Sequence, residues 1–178
     1  MNALPLAPID VEHLCHLALD ALGTSYRKSR VVLMVSGQPR SLISNANRLQ
    51  TAIQAIALNA LHYSEPDRMV RLCLIWKDWG VSLQVHDEGI GIPDEDLARA
   101  FEPGFRGSNV GSLPGRGMGL SAAKEAIAEV NAAIAICSLV NFGTTVTLDI
   151  PNHPQITIPV PSGAMASRQV ARRLGSRF

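Results

Sequence analysis

The segment Met69–Pro93, MVRLCLIWKDWGVSLQVHDEGIGIP, decides the predicted fold. Two runs rich in β-branched and large apolar residues, Met69–Trp76 and Val81–Val85, flank a KDWG turn, which is typical of an antiparallel hairpin. Asp87 follows the second run, and Pro93 with the acidic residues after it suits the first turn of a short helix. The segment therefore predicts a β-hairpin that places a carboxylate at the end of a strand.

The sequence on the amino-terminal side of this hairpin predicts two helices and one strand. Asp10 is a candidate N-cap for a helix whose apolar residues recur at helical spacing, and Arg30–Ser36 (RVVLMVS) indicates a buried strand. The second helix begins near Ser44 or Asn45 and continues to about Ser64. Its core-facing stripe consists of Leu49, Ile53, Ile56 and Ala60.

The sequence on the carboxyl-terminal side completes an α+β pattern. The short helix ends around Phe101 to Pro103, and Gly104–Gly117 carries five glycines without periodicity, which predicts a long functional loop or lid. Leu120–Val130 has helical spacing, and Ala133–Val140 with Thr144–Ile150 predicts a last hairpin. Hairpins separated by helices favour an α+β two-layer sandwich, with a mixed, mostly antiparallel sheet covered by helices on one face, over a Rossmann fold.

Composition indicates one soluble globular domain. The 178 residues are 47% apolar and 17% charged, and 16 basic against 15 acidic residues give a net charge of +1, which disfavours nucleic acid and anionic membranes as partners. The longest apolar stretches, such as Ala132–Cys137, are far shorter than the roughly 20 residues of a membrane helix. We therefore expect a cytoplasmic domain without a membrane contact.

The cysteines and the carboxyl-terminal tail suggest no further site. The three cysteines form no CxxC or CxxH pair, so neither a disulfide framework nor a zinc site is indicated. We expect residues 1–151 to form the domain and residues 152–178, rich first in proline and then in arginine, to form a flexible tail. The tail is either a basic arm for an acidic partner or a frayed terminus; its arginines are Arg168, Arg172, Arg173 and Arg177.

Three short segments carry candidate chemistry. Asp87 with the alternate glycines after it is either a pocket carboxylate that accepts from an exocyclic amine or an ordinary acidic turn. Gly115–Ser121 (GRGMGLS) opens a helix and is either a phosphate cradle or a hinge. Asn59, His62 and Tyr63 share one helix face, where the amide oxygen suits Mg²⁺, although the histidine could be solvated and the tyrosine part of the core.

In this order and at these distances, five motifs resemble those of the ATP-binding catalytic domain of sensor histidine kinases. This group also includes DNA gyrase, a heat-shock chaperone and the mismatch-repair ATPases. The resemblance covers about residues 8–151. The motifs are an N box (58–64), a first glycine box (87–93), a phenylalanine box (101–107), a second glycine box (115–121) and a glycine-threonine motif (143–145).

The resemblance implies the Bergerat ATP-binding fold, with ATP and Mg²⁺ as cofactors. It implies that Asn59 binds Mg²⁺, His62 approaches the phosphates, Tyr63 packs on the adenine and Asp87 holds the adenine amino group. The lid arginines Arg106 and Arg116 would join Asn59 in catalysis by neutralising γ-phosphate charge. The remaining nucleotide-binding residues implied by the motifs are Gly89, Gly91, Ile92, Phe101, Gly115, Gly117, Met118, Gly119, Leu120 and Thr144.

Two departures from the family pattern reduce the number of activities that the resemblance leaves open. Ala55 stands where the hydrolases and the anti-sigma serine kinases carry a general-base glutamate, which disfavours both classes. His13 and His16 lie outside any phosphoacceptor motif. The expected function is therefore transfer of the ATP γ-phosphoryl group to a histidine on a separate helical hairpin, in cis or in trans, with a response regulator downstream. The alternatives are a nucleotide-responsive binding module without phosphotransfer and, less favoured, an anti-sigma-like serine kinase.

Overall fold

The computed structural model describes residues 6–23, 31–65 and 67–152. The expectations for Arg30 and for the arginine-rich tail lie outside these ranges. The helices within them are α1 (Val11–Asp20), α2 (Ala46–Tyr63), α3 (Asp94–Leu97) and α4 (Gly119–Ala128). The strands are β1 (Ala7–Ile9), β2 (Val31–Ser36), β3 (Leu42–Ser44), β4 (Val70–Lys77), β5 (Gly80–His86), β6 (Ala133–Leu139) and β7 (Gly143–Pro151).

Five of the described strands form one mixed sheet in the order β2-β4-β5-β7-β6. The pair β2–β4 is parallel and the three other pairs are antiparallel, as the alternation of hairpins and helices predicts. The first hairpin turns where Lys77 faces Gly80, and the second turns where Leu139 faces Gly143. The central strand β5 thus ends beside β7, and this neighbourhood positions the candidate site.

The helices pack on one face of the sheet and enclose a single core. Asn45 caps α2 by accepting a hydrogen bond from the Arg48 backbone N–H at 3.0 Å. The stripe predicted for α2 is buried and meets alternate residues of the sheet. The fully buried residues include Leu49, Ile53 and Ile56 from α2 and Leu72, Leu74, Leu83, Leu148 and Ile150 from the sheet. The predicted α+β sandwich is therefore confirmed.

The prediction that Arg30–Ser36 forms a buried strand is wrong in one respect. The described part, β2, is a strand, but it lies at the edge of the sheet, and Met34 is 53% exposed. A continuous apolar run does not distinguish a central strand from an edge strand, because both pack one face against the core. The two-stranded ribbon of β1 and β3 was not predicted, since three-residue strands have too little alternation to be recognised.

The prediction that the short helix ends around Phe101 to Pro103 is wrong, because the helix ends at Leu97. α3 is only four residues long, and turns continue from it to Gly104. Residues 104–117, called the lid below, contain neither helix nor strand. The cysteines Cys15, Cys73 and Cys137 are free thiols. Among the described helices, none combines the length and the apolar character that crossing a bilayer requires.

Candidate functional site

A cleft of about 590 Å³, open to solvent on one side, lies between α2, the end of β5, the lid and the start of α4. Of the sixteen residues predicted for the site, ten line this cleft. They are Asn59, Tyr63, Asp87, Gly91, Ile92, Arg106, Gly117, Gly119, Leu120 and Thr144. Residues far apart in sequence are thus brought to one place.

Asp87 provides a buried carboxylate at the floor of the cleft. Its own N–H bonds the Thr144 carbonyl at 2.9 Å, which extends the β5–β7 ladder by one residue. The backbone N–H groups of Gly89 and Thr144 donate to Asp87 Oδ1 at 2.9 and 3.0 Å. Both bonds end on the same oxygen, so Oδ2 is the atom left to accept from a ligand. Burial raises the pKa of Asp87 to about 6, against the lowering effect of the two N–H groups.

The first glycine box brings three backbone segments together. A Cβ atom at Gly89 would lie 2.3 Å from the Tyr63 carbonyl oxygen, and one at Gly91 would lie 2.1 Å from the Leu139 carbonyl oxygen. Gly91 also has φ +67°, which favours glycine. The loop that follows Asp87 is therefore held between the end of α2 and the β6–β7 turn, and this packing by itself requires glycine at both positions.

The predicted polar face of α2 divides between the cleft and the lid. Asn59 and Tyr63 line the cleft, and α4 begins so close to Asn59 that a Cβ at Gly119 would lie 3.2 Å from its Oδ1. The His62 ring nitrogen Nε2 instead contacts the Pro114 carbonyl of the lid. Its ring stands at 90° to that of Tyr63, with centroids 4.9 Å apart. The amide and the phenol ring therefore face the same space, while the imidazole holds the lid.

Polar contacts hold residues 106–109, in the first half of the lid. Asp96 Oδ2 accepts from the Ser108 N–H at 2.6 Å and from its hydroxyl at 2.8 Å, and these bonds hold the pKa of Asp96 below its ordinary value. Asn109 donates its amide to the Gly91 carbonyl at 2.9 Å. Arg106 donates to the Leu113 carbonyl, and its Nε is buried with no hydrogen-bond partner in the described ranges. Arg106 is one of the residues that line the cleft, and its guanidinium has one donor left to satisfy.

Six predicted residues do not line the cleft. His62 and Gly115 meet at the lid, where a Cβ at Gly115 would lie 3.4 Å from the histidine Nε2. Phe101 packs against the core beneath Lys124, whose ammonium lies 5.6 Å from the ring centroid. Arg116 is exposed and Met118 is 49% exposed. The sixth residue is Gly89, and the roles assigned to all six stay predictions.

Sequence reasoning did not single out several residues that build the cleft. Asn109 and Asp96 act through loop contacts whose partners lie 12 to 18 positions away, a distance that neither periodicity nor a short motif reveals. Ser138 lies in an apolar strand, and its place on the buried side of β6 was the one available signal. The other lining residues outside the predicted set are Ile90, Ala100, Phe105, Gly107 and Val110.

A cleft with a buried carboxylate acceptor, an amide oxygen and a glycine-rich lid, set on an α+β sandwich, defines a nucleotide-binding domain. Residues 44–154 match the family described as histidine kinase-, DNA gyrase B-, and HSP90-like ATPase. This match covers more than half of the chain, and the chain belongs to that family. The family predicted from the five motifs is therefore confirmed.

Individual relatives agree with this assignment. The sensor-like histidine kinase SenX3 of Mycolicibacterium smegmatis is 33% identical over 115 residues, which are 64% of this chain and 30% of SenX3. The mycobacterial sensor histidine kinase MprB superposes with a TM-score of 0.69 at 26% identity, covering 85% of this chain and 100% of that structure. ShkA in complex with AMPPNP has a TM-score of 0.68 at 23% identity, covering 85% of this chain and 33% of ShkA. The chain thus spans less than a third of the length of SenX3.

Proposed function

We propose that this domain binds Mg²⁺-ATP and donates the γ-phosphoryl group to a histidine on a helical-hairpin phosphoacceptor domain. The observation that carries the proposal is the Asp87 carboxylate, which is buried in the cleft and accepts both of its backbone hydrogen bonds through Oδ1, so that Oδ2 is left to accept from a ligand. The acceptor hairpin lies in the same polypeptide or in another one, and a response regulator receives the phosphoryl group next. The relatives named as sensor histidine kinases support this placement.

The nucleobase is proposed to lie on the Asp87 side of the cleft. Adenine carries an exocyclic amine, and a carboxylate oxygen can only accept from it, so Asp87 Oδ2 selects an amino-bearing ring. Tyr63 lines the same cleft and offers an aromatic face or edge to the ring. Gly91, Ile92 and Thr144 are lining residues on this side and complete the proposed base pocket.

The proposed metal ligand is Asn59. Among the described residues no group of three or more His, Cys, Asp or Glu side chains could hold a metal ion. An all-protein cage is therefore not available there, and Mg²⁺ characteristically keeps waters and binds through substrate phosphates plus one or two protein oxygens. The amide oxygen of Asn59, on the lining of the cleft, fits that mode of binding.

The proposed phosphate contacts come from basic side chains at the lid. Arg106 has a buried donor without a partner in the described ranges, and Arg116 belongs to the second glycine box. Guanidinium groups bind phosphate oxygens through charge-assisted hydrogen bonds and neutralise charge that develops on the transferred group. His62 is proposed to exchange the Pro114 carbonyl for a phosphate oxygen. Gly115, Gly117 and Gly119 let the lid change position.

The absence of a general base at Ala55 favours a histidine acceptor over serine or water. Ala55 packs against the core, and its carbonyl lies 3.7 Å from where a Cβ at Gly119 would be. A serine hydroxyl or a water must lose a proton to attack, whereas a neutral imidazole nitrogen attacks the γ-phosphorus with its own lone pair. The nitrogen–phosphorus bond forms as the bond from phosphorus to the bridging oxygen breaks, and ADP leaves.

The setting of the domain follows from this chemistry. The donor ATP and the response regulator are cytoplasmic, so we place the domain in the cytoplasm with no nucleic acid and no membrane contact of its own. Residues 1–151 are proposed to be the complete nucleotide-binding unit, and residues 152–178 an appended tail.

The test mixes the full chain with [γ-³²P]ATP, Mg²⁺ and separate dimerisation hairpins from related sensor kinases. We expect label on a hairpin that is stable to base and labile to acid, as a phosphoramidate is. The matched controls are the same hairpin with its histidine replaced by glutamine and the Asp87→Asn chain. Tight ATP binding with no transfer to any hairpin would overturn the kinase assignment in favour of a nucleotide-responsive binding module. Label on a serine would favour the serine-kinase alternative.

A further inference from the structure

Two consecutive carbonyl groups of the lid are held by two of the side chains proposed to bind the phosphates. Arg106 donates a guanidinium N–H to the Leu113 carbonyl, and the ring nitrogen Nε2 of His62 contacts the Pro114 carbonyl. A carbonyl oxygen can only accept, so Nε2 carries a proton and is the donor in the second contact. Residues 113–115, called the cap below, therefore engage both donors at once.

Contacts elsewhere keep the two donors in place independently of the cap. His62 belongs to the last turn of α2, and Arg106 lies in the half of the lid that polar contacts hold against α3 and the first glycine box. The two ends of the lid are also joined, because the Gly104 N–H donates to the Gly117 carbonyl at 3.1 Å. A movement confined to the cap would therefore leave both donors in position.

Gly115 gives the cap a backbone conformation that other residues rarely adopt. Its φ is +145°, in a region populated almost entirely by glycine. A Cβ at this position would lie 3.4 Å from His62 Nε2 and 3.8 Å from the Tyr63 hydroxyl, so there is room for a methyl group. The backbone angle, rather than the space around it, is therefore what requires glycine in the capped conformation.

A phosphate group and the cap compete for the same two donors. Hydrogen bonds from a charged donor to a phosphate oxygen are about twice as strong as those between neutral groups, so a triphosphate can replace the two carbonyls. A nucleoside carries no phosphate oxygen, and its base is proposed to lie on the Asp87 side of the cleft. The base and the cap therefore use different parts of the site.

We propose that the cap is an autoinhibitory contact. The Leu113 and Pro114 carbonyls occupy the phosphate donors, so a triphosphate binds only by displacing them, whereas a nucleoside binds without displacing them. The inference rests on the proposed ATP binding and adds a regulatory step to it. The capped fraction lowers the apparent affinity for ATP, and two hydrogen bonds, offset by the entropy of ordering the cap, make this reduction about tenfold.

The test compares the affinities for ATP and for adenosine, measured by NMR titration of the full chain with Mg²⁺ and no acceptor hairpin. Gly115→Ala strains the capped conformation through its φ of +145°. Gly111→Ala is the matched control, because it adds the same methyl group to the lid at a position where a Cβ would meet no atom. We expect Gly115→Ala to bind ATP about tenfold more tightly than the wild-type chain and adenosine equally well. Gly111→Ala should bind both ligands as the wild-type chain does.

The ring of His62 reports directly whether the cap is released. In protein labelled with ¹⁵N-histidine, the Nε2 signal of His62 should shift in Gly115→Ala without any ligand and stay in place in Gly111→Ala. If the signal stays in place in Gly115→Ala, Pro114→Gly is the second variant, because it frees the backbone that carries both carbonyls. An ATP affinity that rises in neither variant would overturn the inference, and so would an equal rise for adenosine.

Failure of this inference is distinguishable from failure of the proposed function. A wild-type chain that binds neither ATP nor adenosine contradicts the proposed nucleotide site. A chain that binds ATP, but no more tightly once the cap is strained, leaves the proposed function intact and overturns the autoinhibitory role of the cap.

Discussion

Replacing the Asp87 carboxylate by an amide should stabilise the protein and weaken ATP binding at the same time. Asp87→Asn changes neither shape nor size. Its remaining oxygen can still accept from the Gly89 and Thr144 N–H groups, which both donate to Oδ1 in the wild-type protein. What disappears is a negative charge at a side chain that is 5% exposed. The fold needs only the oxygen that accepts the two backbone hydrogen bonds, whereas ligand binding needs a second acceptor oxygen. The substitution therefore tests these two requirements separately.

The size of the stabilisation follows from the pKa of Asp87. Burial raises this pKa from 3.8 to about 6. One pKa unit corresponds to about 1.4 kcal/mol, so at pH 7 the ionised carboxylate lowers the free energy of unfolding by about 3 kcal/mol. The folded state holds the proton more tightly than the unfolded state, so the wild-type protein gains stability as the pH falls from above 6 towards 3.8. The difference in the free energy of unfolding between the asparagine variant and the wild-type protein should therefore become smaller as the pH falls.

The assay is urea unfolding of both proteins at pH 7, 5 and 4, paired with calorimetry of ATP binding at pH 7. We expect the variant to be more stable by about 1 to 3 kcal/mol at pH 7, by about half as much at pH 5 and by little at pH 4. ATP affinity should fall at least tenfold, because an amide NH₂ faces the adenine amine with a donor. A variant that is less stable at pH 7 would refute the desolvation argument, and unchanged ATP affinity would refute the pocket assignment.

The other predictions test the metal ligand, the glycine packing and the lid anchor. Asn59→Ala should weaken ATP binding more with Mg²⁺ than with EDTA, and equal losses in calorimetry would remove the metal role. Gly91→Ala should lower the free energy of unfolding by at least about 3 kcal/mol, because the added Cβ meets the carbonyl of Leu139, the last residue of β6. Gly111→Ala is the control: Gly111 also has a positive φ, +56°, but a Cβ there would meet no atom, so this variant should lose only about 1 kcal/mol in the same urea titration. Asp96→Ala removes both hydrogen bonds to Ser108 and should therefore speed proteolytic cleavage within the lid and lower ATP affinity about tenfold. An unchanged cleavage rate would show that Asp96 does not anchor the lid.

The elements with strong periodicity could be predicted from sequence, and those defined by long-range neighbours could not. The stripe of α2 and the two hairpins are local patterns, and the structure has them within a few residues of the predicted bounds. The position of β2 at the edge depends on which strands flank it, and nothing within its own six residues records that. The same reason explains the missed ribbon of β1 and β3.

The candidate site divides in the same way. Asp87 and Asn59 could be singled out because each stands in a short motif with its own chemical logic, and the structure brings both to one cleft. Ser138 could not be singled out, because the contacts that make it part of the site are with a threonine on the facing strand and with a backbone N–H 46 positions away. Asp96 likewise looks like an ordinary acidic residue of a first helical turn until the lid folds back onto it.

Register along β7 makes the nucleotide pocket and the hydrophobic core a single cooperative unit. Thr144, which lines the cleft, lies on the same face of β7 as the buried residues Val146, Leu148 and Ile150. Its neighbour Thr145 lies on the opposite face, where its Oγ1 is 2.9 Å from His86 Nδ1. A shift of one residue would expel the core side chains and remove the pocket threonine in the same movement. On heating, ligand binding and the sheet should therefore be lost in a single transition. No intermediate should retain the fold after the binding site has been lost.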